Sequence, residues 1–183
     1  MKKTLLTLSV TASISLSAQS PILIEGNDSS LKVGFLSQVG FEAIGSDRLE
    51  GTSQNLFFRR LRLIFAGNFG SNLEYYITTD NPNLGKGSLP DGSRNNSGLL
   101  IQDAILIYKF TNKINLDVGF MPVPLSHIGT QGATTLHTWD YPSNALAQNG
   151  PIGGSSGRDA GAMVRGVVGK KHGNLEFRVG VFQ

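Results

Sequence analysis

Ile114-Asn115-Leu116-Asp117-Val118-Gly119-Phe120 alternates apolar residues with polar or very small ones, without a break. Successive strand side chains point to opposite faces, so Ile114, Leu116, Val118 and Phe120 share one face and Asn115, Asp117 and Gly119 the other. The pattern returns at Leu73, Tyr75 and Ile77 against Glu74, Tyr76, Thr78 and Asp80. It returns again at Leu175, Phe177, Val179 and Val181 against Glu176, Arg178 and Gly180. Each stretch predicts a strand with one apolar face and one polar face.

Working outward, Leu31 to Phe41 sets Leu31, Val33, Phe35, Val39 and Phe41 against Lys32, Gly34, Gln38 and Gly40. Leu56 to Phe69 sets Leu61, Leu63, Phe65 and Phe69 against Arg60, Arg62, Ala66 and Asn68. Leu100 to Phe110 and Ala160 to Gly169 alternate less cleanly, because Ile105 and Ile107 share a face with Asp103 and Lys109, and Met163 and Val167 match Val164 and Val168. That makes seven strands of about 8 to 14 residues, which suits the roughly 9 to 11 residues of a tilted strand crossing a bilayer. Globular strands usually stop at about five or six.

The connectors alternate in length. Phe69 to Asn72, Thr111 to Lys113 and Lys170 to Asn174 are short turns, whereas Glu42 to Asn55, Asn81 to Gly98 and Pro122 to Arg158 are long and rich in Gly, Ser, Asn and Pro. Short turns at one end and long loops at the other characterise outer-membrane barrels. The predicted class is all-β, an antiparallel transmembrane β-barrel. An odd seven strands, the last ending at Gln183 without an aromatic terminal residue, predicts the N-terminal part of a larger barrel. Its unpaired edges would be costly in lipid.

The N-terminus carries an export pattern. Lys2 and Lys3 precede Leu5, Leu6, Leu8, Val10 and Ile14, and the stretch closes on Ser15-Leu16-Ser17-Ala18. A positive start, a short apolar run and a small-residue cleavage zone predict a secretory signal over residues 1–18, leaving 19–183 as the barrel domain. Removing Lys2 and Lys3 lowers Lys+Arg from 16 to 14 against 13 Asp+Glu, so the mature chain is nearly neutral. Nucleic-acid binding wants a basic stripe, which a balanced chain does not supply. No Cys is available for disulfides, and no apolar run after residue 18 is long enough for a spanning helix.

Four segments bear a family resemblance. Phe57-Phe58-Arg59-Arg60-Leu61-Arg62-Leu63, continuing through Gly67-Asn68-Phe69 to Leu73-Glu74-Tyr75-Tyr76, is similar to the "FRRARL, G, EYKLEYD" strand pair of the phosphate-selective porin O and P family. Asp103-Ala104-Ile105-Leu106-Ile107-Tyr108 resembles its "DAYLEY" strand. Val118-Gly119-Phe120-Met121-Pro122-Val123-Pro124-Leu125-Ser126 resembles "GQFKVPFS", and Gly157-Arg158-Asp159-Ala160-Gly161 resembles "GRDIG". Phe120-Met121 and Ile105-Leu106 are less polar than the family pattern. The resemblance implies a homotrimer of roughly 16-stranded barrels, located in the outer membrane of a Gram-negative cell and drawing anions by basic pore residues.

Arg60 and Arg62 lie opposite Leu61, Leu63 and Phe65, and Arg165 and Arg178 fall on polar faces by the same alternation. If the apolar faces meet lipid, these four line the pore and bias it toward small polar or anionic solutes, phosphate and polyphosphate among them. The competing reading pairs them with Glu74, Glu176, Asp117 or a loop carboxylate. Pro122 to Arg158, the longest connector, either folds inward to narrow the barrel or stays an external loop. His127, His137 and His172 have no ligand-like spacing, so no metal or other cofactor is expected. No nucleophile elbow or oriented base marks an enzyme. The alternatives are a secreted or surface β-sandwich used for adhesion and an outer-membrane barrel hydrolase.

Overall fold

The computed structural model describes residues 9–17, 22–45, 52–87, 98–132, 157–170 and 173–183. Among them are nine strands: β1 (Ser9–Ser17), β2 (Ile22–Glu25), β3 (Ser29–Gly45), β4 (Thr52–Phe69), β5 (Leu73–Asp80), β6 (Leu100–Thr111), β7 (Ile114–Pro122), β8 (Arg158–Lys170) and β9 (Gly173–Phe182). A single 3-10 turn covers Ile128–Thr130. The hydrogen-bonded order is β1-β3-β4-β5-β6-β7-β8-β9, with β2 also on β3, so each neighbour from β3 onward is the next strand in the chain. The fold is all-β.

The seven expected strands are β3 to β9. β1 and β2 are additional, and β1 falls within the stretch read as an export signal. Val10, Ala12, Ile14 and Leu16 alternate there with hydroxyl residues, a period that also suits a strand, and Ser9–Ser17 pairs antiparallel with Leu36–Ile44 of β3. Ala18, at the expected cleavage boundary, lies outside the described residues.

β3 and β4, at 17 and 18 residues, run beyond the expected 8 to 14 and shorten the connector between them. Their extra length has partners. Glu42 pairs with Lys86 Nζ at 2.9 Å, and the Asn55 carboxamide oxygen accepts from Gly87 N–H at 3.3 Å. The chain after β5 likewise stays ordered, with Asn81 N–H donating to the Leu61 carbonyl at 3.0 Å and Phe58 N–H to the Leu84 carbonyl at 2.9 Å.

The chain divides into two compact units, one comprising residues 1–21, 34–63 and 79–100, the other 22–33, 64–78 and 101–183. In the first, the polar residues Gln38, Arg60 and Asp80 are buried while Leu63 on the alternate face of β4 is exposed. In the second, register builds complete rows across four strands. Leu106, Val118, Ala162 and Val181 stand opposite one another, as do Tyr108, Leu116, Val164 and Val179. The alternate rows are Ile107, Asp117, Met163 and Gly180, and Lys109, Asn115, Arg165 and Arg178. Through these rows one face of β6 to β9 is apolar, and Lys109, Asp117, Arg165 and Arg178 share the other; Arg158, opposite Pro122 at the end of β8, falls in step with the apolar rows and pairs with Asp103.

Gly119 keeps β7 in this register. Its φ of +137° is one that L side chains rarely adopt, and a Cβ there would strike the Ala104 carbonyl oxygen on β6.

Candidate functional site: the polar face and its inward-turned segment

The two faces invert the arrangement of a water-soluble protein. Val181 is 80% exposed and Val179 70%, and Leu106, Val118 and Val168 are exposed on the same side. Asp103 and Asp117 are buried, Asp117 to 5% exposure. Exposed contiguous apolar area on this scale marks a surface covered by another apolar phase. Aromatic residues gather where the strands meet the short turns: Phe69 stacks on Tyr75 with centroids 5.0 Å apart, and Tyr108 meets Phe110 edge-on at 5.1 Å. Such girdles sit at membrane interfaces.

The polar face holds its cations in pairs. In the first unit, Arg60 is 3% exposed and donates to the Gln38 carboxamide oxygen at 2.6 Å. Arg62 grips the Asp80 carboxylate through Nε at 2.9 Å and a terminal nitrogen at 2.8 Å. A second hydrogen bond of this kind fixes the guanidinium plane. In the second unit, Arg165 Nε donates to Asp117 at 2.6 Å, and Arg158 Nε to Asp103 at 2.7 Å. Arg178 donates to one Glu176 oxygen through Nε at 3.1 Å and a terminal nitrogen at 2.6 Å. Lys109 pairs with Glu74.

All four arginines singled out by alternation thus lie among polar neighbours. The structure brings Arg165 and Arg178 together as cross-strand partners, and Arg60 and Arg62 occur in the other unit. Alternation placed both members of Arg178–Glu176, two residues apart on β9, on one polar face; Arg165–Asp117 joins β8 to β7. Arg62–Asp80 and Arg158–Asp103 depend on register between strands, which spacing in one sequence does not encode.

After β7 the chain turns back over this face. Pro122 stands opposite Arg158, and Arg178 stands opposite Arg165, seven residues farther along β8 and therefore about 23 Å down the sheet at about 3.3 Å per residue. Pro124, Ser126, His127 and Thr130 nevertheless line, together with Glu176 and Arg178, an open pocket of about 230 Å³. The segment therefore lies along the charged face. Val123 N–H donates to the Gly157 carbonyl at 3.0 Å at its root, and Gly129 N–H to Ser126 Oγ at 3.0 Å within the turn. Residues 133–156 of the long connector, His137 among them, lie outside the described residues, as does His172.

The described residues contain no group of three or more His, Cys, Asp or Glu arranged to hold a metal ion. No helix among them is long and apolar enough to cross a membrane, a criterion that does not bear on barrels, which cross with strands.

Comparison with known proteins agrees with this geometry. No curated protein and no solved structure matches the chain. The model of the phosphate-selective porin O and P family matches residues 31–179, from the third residue of β3 into β9, and so takes in both charged clusters and the inward-turned segment. The chain belongs to the phosphate-selective porin O and P family, whose members are porins of the outer membrane.

Proposed function

We propose that the protein is a passive diffusion channel for small polar or anionic solutes, with phosphate and polyphosphate among the candidate anions. It is exported through a signal within residues 1–18 and assembles as a homotrimer. One observation carries the channel reading: rows of exposed apolar residues on one face of β6 to β9, with Asp103, Lys109, Asp117, Arg165, Glu176 and Arg178 on the other. Lipid covers the first face and water fills the space beside the second, as in barrels whose strands alternate apolar-out and polar-in.

Arg60, Arg62, Arg165 and Arg178 then stand on the water-facing wall. Arg165 and Arg178 are the more accessible of the four, with side-chain exposures of 37% and 29%, and each guanidinium has five N–H donors of which a carboxylate engages two at most in a fork. Their net field is weak, so attraction of anions is short-ranged and sensitive to salt. The β-sandwich alternative would need a second sheet against the apolar rows, and none of the described strands packs there. Insertion of the full-length protein into planar bilayers tests the reading: discrete conductance steps, with a reversal potential displaced modestly toward anions in a salt gradient, are expected. Absence of conductance from correctly folded protein would overturn it.

A further inference from the structure

We propose that the cavity beneath the inward-turned segment is a binding site for a small uncharged polyhydroxylated solute, a polyol or monosaccharide, held between Glu176, Arg178 and the turn Ser126 to Thr130. This rests on the channel reading and adds a recognition step to it. The argument begins with charge. Glu176 Oε1 takes both Arg178 hydrogen bonds, at 2.6 and 3.1 Å, so the lining carries one positive and one negative group in contact. The neighbouring row repeats the pattern, since Arg165, the cross-strand partner of Arg178, is paired with Asp117. An oxyanion approaching Arg178 also meets the Glu176 carboxylate bonded to it, and repulsion offsets part of the attraction.

Hydrogen-bonding capacity points the same way. The second carboxylate oxygen of Glu176 offers lone pairs, and Thr130 Oγ1, which lines the pocket, commits its one proton to the His127 carbonyl at 2.9 Å and is left with acceptor capacity. Farther along the network, Asp117 Oδ1 is buried without a hydrogen-bond partner, another acceptor in excess. Against these stands Arg178, which can only donate. A ligand satisfying this lining must donate and accept at neighbouring atoms. Hydroxyls on adjacent carbons do so, whereas phosphate is mostly acceptor and would leave the acceptors facing one another.

Size sets the class. A cavity of about 230 Å³ is smaller than the roughly 300–1,000 Å³ of pockets for drug-sized ligands. That room suits a small solute rather than a drug-sized one.

The test is solute block of the full-length protein in planar bilayers at pH 7, with D-ribose and inorganic phosphate as separate probes. Ribose is expected to lower the conductance saturably, and phosphate to change it only in step with bulk conductivity. Glu176→Gln should raise the half-blocking ribose concentration about tenfold and confer saturable block by phosphate. Thr130→Val, which keeps the charges, should raise the ribose value several-fold without conferring phosphate block. Saturable phosphate block with ribose inert in the unaltered protein would assign the cavity to an oxyanion and overturn the proposal. Ribose block indifferent to both substitutions would place ribose elsewhere and overturn it too. Normal conductance with neither probe blocking overturns the site alone, while folded protein that never conducts overturns the channel reading beneath it.

Discussion

Gly67 and Tyr75 face each other across the β4–β5 pair, and the Tyr75 hydroxyl donates at 2.9 Å to the Ser30 carbonyl on β3, the same oxygen that a Cβ on Gly67 would strike. The missing side chain at residue 67 is thus what lets three strands close together under a tyrosine. Gly67→Ala should destabilise the folded protein by about 1–3 kcal/mol, the usual range for forced overpacking. Tyr75→Phe, which loses only the hydrogen bond, should cost about 1 kcal/mol. Urea unfolding in lipid vesicles, followed by strand circular dichroism, gives both values; an alanine variant as stable as the parent would show that β3 and β4 are not in this close register.

Arg62 and Asp80 are almost fully enclosed, with side-chain exposures of 11% and 8%. Removing one member strands the other charge away from water. Asp80→Ala should therefore cost about 3–5 kcal/mol. Glu176→Ala, at an exposed pair, should leave stability close to that of the parent. The same urea titrations decide it, and equal effects at the two sites would contradict the difference in burial.

Selectivity is best probed where folding is spared. Arg60 and Arg62 are buried in polar contacts, so their substitution confounds charge with stability, whereas Arg165 and Arg178 are more accessible. Arg178→Ala deletes one positive charge and leaves only the exposed Glu176 uncompensated, whereas Arg165→Ala would strand the buried Asp117. The reversal potential should move toward cations at 0.01 M salt, where the Debye length is about 30 Å, and the shift should shrink near 1 M, where it is about 3 Å. An unchanged potential at low salt would remove Arg178 from the conducting wall.

Neighbouring residues of β8 should respond oppositely to one substitution. Val164 stands in an apolar row between Leu116 and Val179, while Val167 is opposite Glu176. Val164→Arg should cost roughly 2–4 kcal/mol if that row meets the middle of the bilayer. Val167→Arg should be tolerated beside the carboxylate. Comparable yields of folded protein, judged by heat-modifiable gel migration, would count against the face assignment.

Much of this was legible in the sequence because period-2 alternation is a local property. Ile114 to Phe120 and Leu175 to Val181 keep the faces their residues predict, and even the irregular Leu100 to Phe110 places Ile107 with Asp103 and Lys109, since Ile107 is opposite Asp117. What stayed hidden depends on contacts between distant residues. Gly45 and Thr52 lie deeper in the expected loop than alternation reached, where the strand ends are held by Lys86 and Gly87 from after β5. The partners of Arg62 and Arg158 are chosen by register. The return of Ser126 to Thr130 onto Glu176 and Arg178 has no period to betray it. Ser9–Ser17 satisfies two patterns at once, an export signal and a strand, and composition does not rank them.

The central claim is that one face of β6 to β9 meets lipid and the other meets water. The chain has no Cys, so single-cysteine variants along β7 at Asn115, Leu116, Asp117 and Val118 carry no background. With a fluorophore at each position in the full-length protein, reconstituted in bilayers of chain-brominated lipid, quenching should be strong at residues 116 and 118 and weak at 115 and 117. Uniform quenching, or strong quenching at 115 and 117 instead, would contradict the account.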